Sequence, residues 1–161
     1  MQSRLLHSIR SISSISTPKN PLPILICGRN PRVASAVSAA LRPDYDVIHS
    51  ISSPQAGTLD IPAFLRGDGN TASTSSQGTT APTPTPVAIL VGGGYTVHDM
   101  EMIREACRGL DPVIWLKVKK DMSGPLPPLE EYGAEVGRRA REYLNGVRDR
   151  GELGGGGVYY I

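Results

Sequence analysis

Two glycine-bearing segments carry the residue types best suited to chemistry in this chain. Gly28-Arg29-Asn30-Pro31-Arg32 and Gly92-Gly93-Gly94-Tyr95-Thr96 each follow a short apolar run and each open a stretch of helical spacing. Glycine lets the backbone approach a bound group closely, and amides at a helix start favour an anion. Arg29 and Arg32 add charge and the two-pronged hydrogen bonding that suits phosphate or carboxylate. The ligand-binding set read from the sequence is therefore Gly28, Arg29, Asn30, Arg32, Gly92, Gly93, Gly94 and Thr96, and the ligand an anionic small molecule. The dinucleotide fingerprint G-x-G-x-x-G is not met, since the first segment has one glycine and the second has three in a row, out of frame. The simpler reading is that these glycines only make tight strand-to-helix turns.

His98 lies next to this rim, and with Tyr95 or Asp99 as partner it is a candidate general acid/base, so His98 and Tyr95 form the catalytic candidates. A lone histidine there is more often a surface or capping residue. His49, near Ile48 and Ile51 in a strand pattern, reads as structural. Lys119 and Lys120, at the end of an apolar run, suit either a solvated strand exit or contact with an anion. Glu130 and Glu131 fit the first turn of a helix, where the dipole favours them. Cys27 and Cys107 have no Cys or His neighbour at metal-ligand spacing, so no metal site is expected and the thiols read as free in a reducing compartment. The absence of a Gly-x-Ser-x-Gly elbow, a P-loop and zinc spacing leaves hydrolase, NTPase and zinc-enzyme readings without support.

Elements must hold these residues in place. The 161-residue chain suits one domain, and with 5% aromatic residues its core is aliphatic. The run from Pro21 to Gly28 reads as a first strand. Val33, Val37 and Leu41 then recur at helical spacing, with Asn30 as cap and Pro31 at the first helical position. Tyr45 to Ile51 is a second strand, followed by a short helix around Leu59 to Leu65. Residues 67–86 turn to Gly, Ser, Thr and Pro and read as a disordered insertion. Val87 to Val91 is a third strand. The helix after it buries Met100, Ile103, Cys107 and Leu110, with Thr96 or Asp99 as its cap. Pro112 to Val118 is a fourth strand, with Trp115, Lys117 and Lys119 on one face. The longest helix runs from Leu129 to about Arg148, with Tyr132, Val136, Ala140, Tyr143 and Val147 on one side. The Gly-rich segment 151–161 ends in Val158-Tyr-Tyr-Ile161, a frayed tail or an edge strand.

Strand and helix thus alternate, which argues for an α/β domain over 21–150: three layers around a short, mainly parallel four-stranded sheet of order 2-1-3-4, joined by right-handed crossovers. By this pattern the chain resembles a Rossmann-like or flavodoxin-like α/β domain over most of residues 22 to 148. The resemblance implies a ligand beyond the carboxyl ends of the first and third strands, where the strand order switches. It also implies a nucleotide or NAD(P)-type cofactor, and with that cofactor an oxidoreductase. The end of the second strand offers His49, Ser50, Ser52 and Ser53 where an NAD site has an acid, which favours NADP. The rival reading is a non-catalytic accessory protein, engaging a protein partner or a second copy through the long helix and tail.

Charge is uneven. Residues 1–43 hold Arg4, Arg10, Lys19, Arg29, Arg32 and Arg42 and no acid, although the net charge is only +2. That suits a targeting segment or an anion site better than a nucleic-acid surface. Residues 1–20, serine-rich and free of acids, resemble a mitochondrial transit peptide or a disordered tail. No run of about 18 apolar residues occurs, so no membrane span is expected. The expected location is intracellular, either mitochondrial or cytoplasmic.

Overall fold

A computed structural model describes residues 20–69, 82–120 and 123–161. The expected tail at 1–20 and insertion at 67–86 fall largely outside them. Five strands, β1 (Leu22–Cys27), β2 (Tyr45–Ile51), β3 (Ala88–Val91), β4 (Ile114–Lys117) and β5 (Gly157–Tyr160), alternate with α1 (Pro31–Leu41), α2 (Pro54–Leu65), α3 (Val97–Ala106) and α4 (Leu129–Asp149). Every strand pair is parallel, and the sheet order is β2-β1-β3-β4-β5. The α/β class and the 2-1-3-4 order hold, and the terminal residues extend the sheet by a fifth, edge strand.

Strand alternation divides the core in two. Ile24, Ile26, Ala88, Leu90, Ile114 and Leu116 face α1 and α4, while Leu25, Cys27, Ile89, Val91 and Trp115 face α2 and α3. Burial on both faces is why β1, β3 and β4 are almost wholly apolar. α2 begins at Pro54, five residues before the start expected near Leu59. Ser53 accepts from the Ala56 N–H at 3.2 Å, and Pro54 occupies the first helical turn, where its missing N–H costs nothing.

The helix faces also correct the expected handedness. The β3–α3–β4 and β4–α4–β5 connections move across the sheet in the same direction, but α3 lies on one face and α4 on the other. The two crossovers therefore have opposite hands. Those through α1, α2 and α3 share one hand, and only the crossover through α4 departs from it, so the strong right-handed preference does not hold for all four.

α4 lies on α1's face because the two helices meet at backbone range. A Cβ on Gly133 would stand 2.7 Å from both the Val33 carbonyl oxygen and the Ala36 Cβ. One on Gly137 would stand 2.8 Å from the Val37 oxygen and 2.7 Å from the Ala40 Cβ. The contact is reinforced from β2's entry. Asp44 accepts from Arg141 Nε at 2.6 Å and Asn145 Nδ2 at 3.0 Å, and the Tyr45 hydroxyl donates to Asn145 Oδ1 at 3.0 Å. Burial alone would raise the Asp44 pKa, but these hydrogen bonds and the Arg141 charge outweigh it and hold the carboxyl below its ordinary value.

Two predictions follow from this packing. Gly137→Ala should cost about 1–3 kcal/mol by overpacking the helix pair. Gly146→Ala, whose added Cβ meets only the mobile tip of Arg150 at 3.4 Å, should gain about 0.5–1 kcal/mol; urea unfolding of both variants compares them. A carboxyl with a lowered folded pKa contributes stability that is complete above its unfolded value of about 4 and lost as pH falls through the folded value. Asp44→Asn should therefore cost about 1–2 kcal/mol at neutral pH and lose stability less steeply in acid than the native chain, as denaturant midpoints across pH would show.

Candidate functional site

The carboxyl ends of β1 and β3 carry the two glycine-bearing loops side by side. Gly28 N–H donates to the Ile51 carbonyl and Gly92 N–H to the Cys27 carbonyl, each at 2.9 Å. A Cβ on Gly92 would stand 3.0 Å from the Cys27 oxygen, so the close approach of β3 to β1 selects glycine here. Arg29 then spans the loops. Its Nε donates to the Gly94 carbonyl at 3.1 Å, its guanidinium lies 5.4 Å over the Tyr95 ring, and one of its nitrogens is 3.8 Å from the Asp99 carboxylate.

Beneath the loops, between the sheet and the α1–α4 pair, lies a cavity of about 150 Å³. Gly28, Asn30, Gly92, Gly93 and Gly94 form its main-chain rim, and Val33, Val37, Val118, Val136 and Tyr132 line its sides. The Tyr132 hydroxyl stands so near Gly93 that a Cβ there would be 2.9 Å away. At the start of α1, Asn30 Oδ1 accepts from Arg32 N–H at 2.9 Å, and Pro31 has no N–H to offer. The Val33, Gly93 and Gly94 amides donate to no described residue. On the other side of Gly28, a groove of about 420 Å³ is lined by Ser35, Ser38, Ser50 and Ser52 with Arg29 and Pro31.

Gly28, Arg29, Asn30, Gly92, Gly93 and Gly94 therefore converge on one cavity. Arg32 points elsewhere and pairs with Glu130, joining the starts of α1 and α4. Thr96 is a cap: its hydroxyl accepts from Asp99 N–H at 3.0 Å, and the Asp99 carboxylate accepts from Thr96 N–H at 2.8 Å. That backbone bond, with the nearby Arg29, holds the Asp99 carboxyl below the usual range. Tyr95 is buried, donates its hydroxyl to the Ile51 carbonyl at 3.0 Å and is pushed by burial well above the usual phenol range. His98 is exposed at the start of α3, so the two catalytic candidates point in different directions. Lys119 and Lys120 are exposed, and His49 Nε2 lies 2.9 Å from Asp60 Oδ2 with its ring stacked on Phe64. Both cysteines are free, and burial pushes the Cys27 thiol up to about 12.

Sequence reasoning missed Lys117. It is 5% exposed, and its Nζ donates to the Gly92 carbonyl at 3.1 Å and to the Val118 carbonyl at 3.2 Å, anchoring the β3 loop. Burial lowers its pKa. A lysine inside an apolar strand was the available signal. Among the described residues no three His, Cys, Asp or Glu side chains gather to hold a metal ion, and no helix is long and apolar enough to cross a membrane.

Kojic acid related protein 6 of Aspergillus oryzae (strain ATCC 42149 / RIB 40) is 38% identical to this chain over 154 residues, spanning 89% of the chain and 92% of that protein. The chain belongs to the kojic acid related protein 6 family. No protein-family model matches the sequence, and no solved structure matches it. The likeness to this relative thus extends over most of the chain instead of a single motif.

The geometry gives Tyr95 and His98 different fates on substitution. Tyr95→Phe removes one buried hydrogen bond while the Ile51 carbonyl keeps the Gly28 N–H, which should cost about 0.5–1.5 kcal/mol. His98→Ala, on the surface, should stay within about 0.5 kcal/mol of the native chain. Thermal unfolding of both variants checks the pair.

Proposed function

We propose that this domain binds a small anionic molecule across the Gly28 and Gly92 loops, with a ring in the cavity and its anionic group at the rim. The observation that carries this reading is the pairing of an apolar cavity with the Val33, Gly93 and Gly94 amides and the Arg29 side chain on its border. Successive free amides form a concavity suited to an anion, and helix starts add a favourable dipole. A cavity of about 150 Å³ accepts a ring of benzene size. A mononucleotide, or one half of an NADP-type cofactor, has such a ring next to a phosphate, and the serine-lined groove beyond Gly28 offers hydroxyls to a sugar. Ser50 and Ser52 stand where an NAD site has an acid, which favours NADP between the two dinucleotides. The relative's name adds kojic acid, a small hydroxylated pyranone, as a ring compound to test.

The proposed role is binding. Among the described residues no Asp, Glu or His lines the cavity, and the Cys27 thiol at its edge stays protonated at neutral pH.

Thermal unfolding with NADP, NAD, ATP, FMN and kojic acid tests the reading. A ligand at about a hundredfold excess over its dissociation constant stabilises by about 2.7 kcal/mol, which raises Tm by roughly 5–10 °C for a domain of this size. Gly93→Val, which drives a side chain against Tyr132, should remove that shift while the chain stays folded. Unchanged midpoints with all five compounds would reject the reading.

A further inference from the structure

The two edges of the sheet are built differently. On β2, Asp46 pairs with Arg42 at 2.9 Å, and the pairing with β1 slips between Ile24 and Leu25. Charge and irregular register are devices that keep an edge from accepting another strand. β5 has neither. Gly157-Val-Tyr-Tyr-Ile161 contains no charged side chain and no proline, and its register with β4 is unbroken. Tyr159 and Tyr160 remain 40% and 49% exposed.

The ladder decides which groups of β5 are free. Ile161 N–H donates to the Lys117 carbonyl at 3.0 Å, and the Ile161 carbonyl accepts from Lys119 N–H at 2.8 Å. Alternate residues of a strand turn their main-chain groups to opposite sides, so Gly157, Tyr159 and Ile161 bond toward β4. Val158 and Tyr160 direct both N–H and C=O away from the sheet. Two donors and two acceptors thus bond to no described residue along an edge without charged side chains.

We propose that this edge pairs with the same edge of a second copy of the chain, antiparallel about a two-fold axis at Tyr159. Val158 then lies opposite the partner's Tyr160, and Tyr160 opposite the partner's Val158. Each pair exchanges both hydrogen bonds and uses every free group of the strand. The two Tyr159 rings face each other at the closely spaced position between them, where aromatic cross-strand pairs are favourable. Tyr143 already packs against Tyr159, with ring centroids 5.3 Å apart, which extends the aromatic contact onto α4. A self-paired strand requires that no like charges meet, and a strand without charged side chains, paired about Tyr159, meets that condition. It gives a charged partner strand nothing to recognise. The product is a continuous sheet of ten strands, closed by the two-fold axis.

Sedimentation of the full chain over a wide concentration range tests the contact. The expected mass is twice 17.2 kDa at high concentration, with slowed amide exchange at Val158 and Tyr160. Tyr160→Pro deletes an outward N–H and leaves the β4 ladder intact, so it should sediment as a single chain with a native circular dichroism spectrum. Tyr160→Phe should dimerise as the native chain does. A native chain at single-chain mass throughout, or a Tyr160→Pro variant that dimerises as strongly, overturns the proposal. So does dimerisation that appears only after removal of residues 1–19, since that segment would then be what covers the edge.

Discussion

The backbone-range contact between α1 and α4 is the constraint on which the rest of the structure depends. Interaxial distance is set by the side chains at the crossing, and at Gly133 and Gly137 there are none. α4 therefore comes down on the carbonyls of Val33 and Val37, with Ala36 and Ala40 as the facing residues. The neighbouring positions on α4 take their places from this contact. Tyr132, one residue before Gly133, is brought to Gly93, and Val136, between the two glycines, joins Val33 and Val37 along the cavity. The stripe that locks the helices together also shapes the space beside them, so a change at Gly133 would act on the site without touching it.

The same contact accounts for the unusual hand of the last crossover. The α1 face of the sheet needs cover over β3 and β4, and α1, with eleven residues and packed toward β1 and β2, cannot supply it. The opposite face already holds α2 and α3. α4 buries Val136, Ala140, Leu144 and Val147 on the uncovered face, and that burial outweighs the handedness preference. Residues 118–128 between β4 and α4 are long enough to carry the chain across. β5 is then reached at the sheet's far edge.

Much of this was legible in the sequence. The apolar runs gave β1, β3 and β4, because strands buried on both faces hold few polar residues. Asn30-Pro31 marked the start of α1, and Thr96 with Asp99 marked that of α3, because caps are local chemistry. Ser53-Pro54 carried the same kind of signal for α2 and was passed over in favour of the apolar residues further along. The contact at Gly133 and Gly137 was not legible, since propensity reports the cost of a glycine in a helix and says nothing of the neighbour that requires it. Lys117 was placed on the correct face of β4. Its burial depends on the carbonyl of Gly92, 25 residues away, and no spacing along β4 records that contact. The burial of Tyr95 depends likewise on the Ile51 carbonyl across the sheet.

These long-range contacts divide the site's polar groups into two sets. Lys117 takes the carbonyl of Gly92, and Arg29 takes that of Gly94, so two acceptors of the β3 loop are met by cations. Asp99 and Thr96 satisfy each other, and Tyr95 is bound into the core. The acids and hydroxyls that looked chemical in the sequence are thus largely committed to holding the loop, whereas the Gly93 and Gly94 amides donate to no described residue. With two carbonyls turned to cations and two amides turned to the cavity rim, the loop favours negative charge even with a carboxylate in its capping box. The selectivity of such a site rests on main-chain geometry and on the apolar walls from α1 and α4, and it therefore returns to the close packing of Gly133 and Gly137 that places those walls.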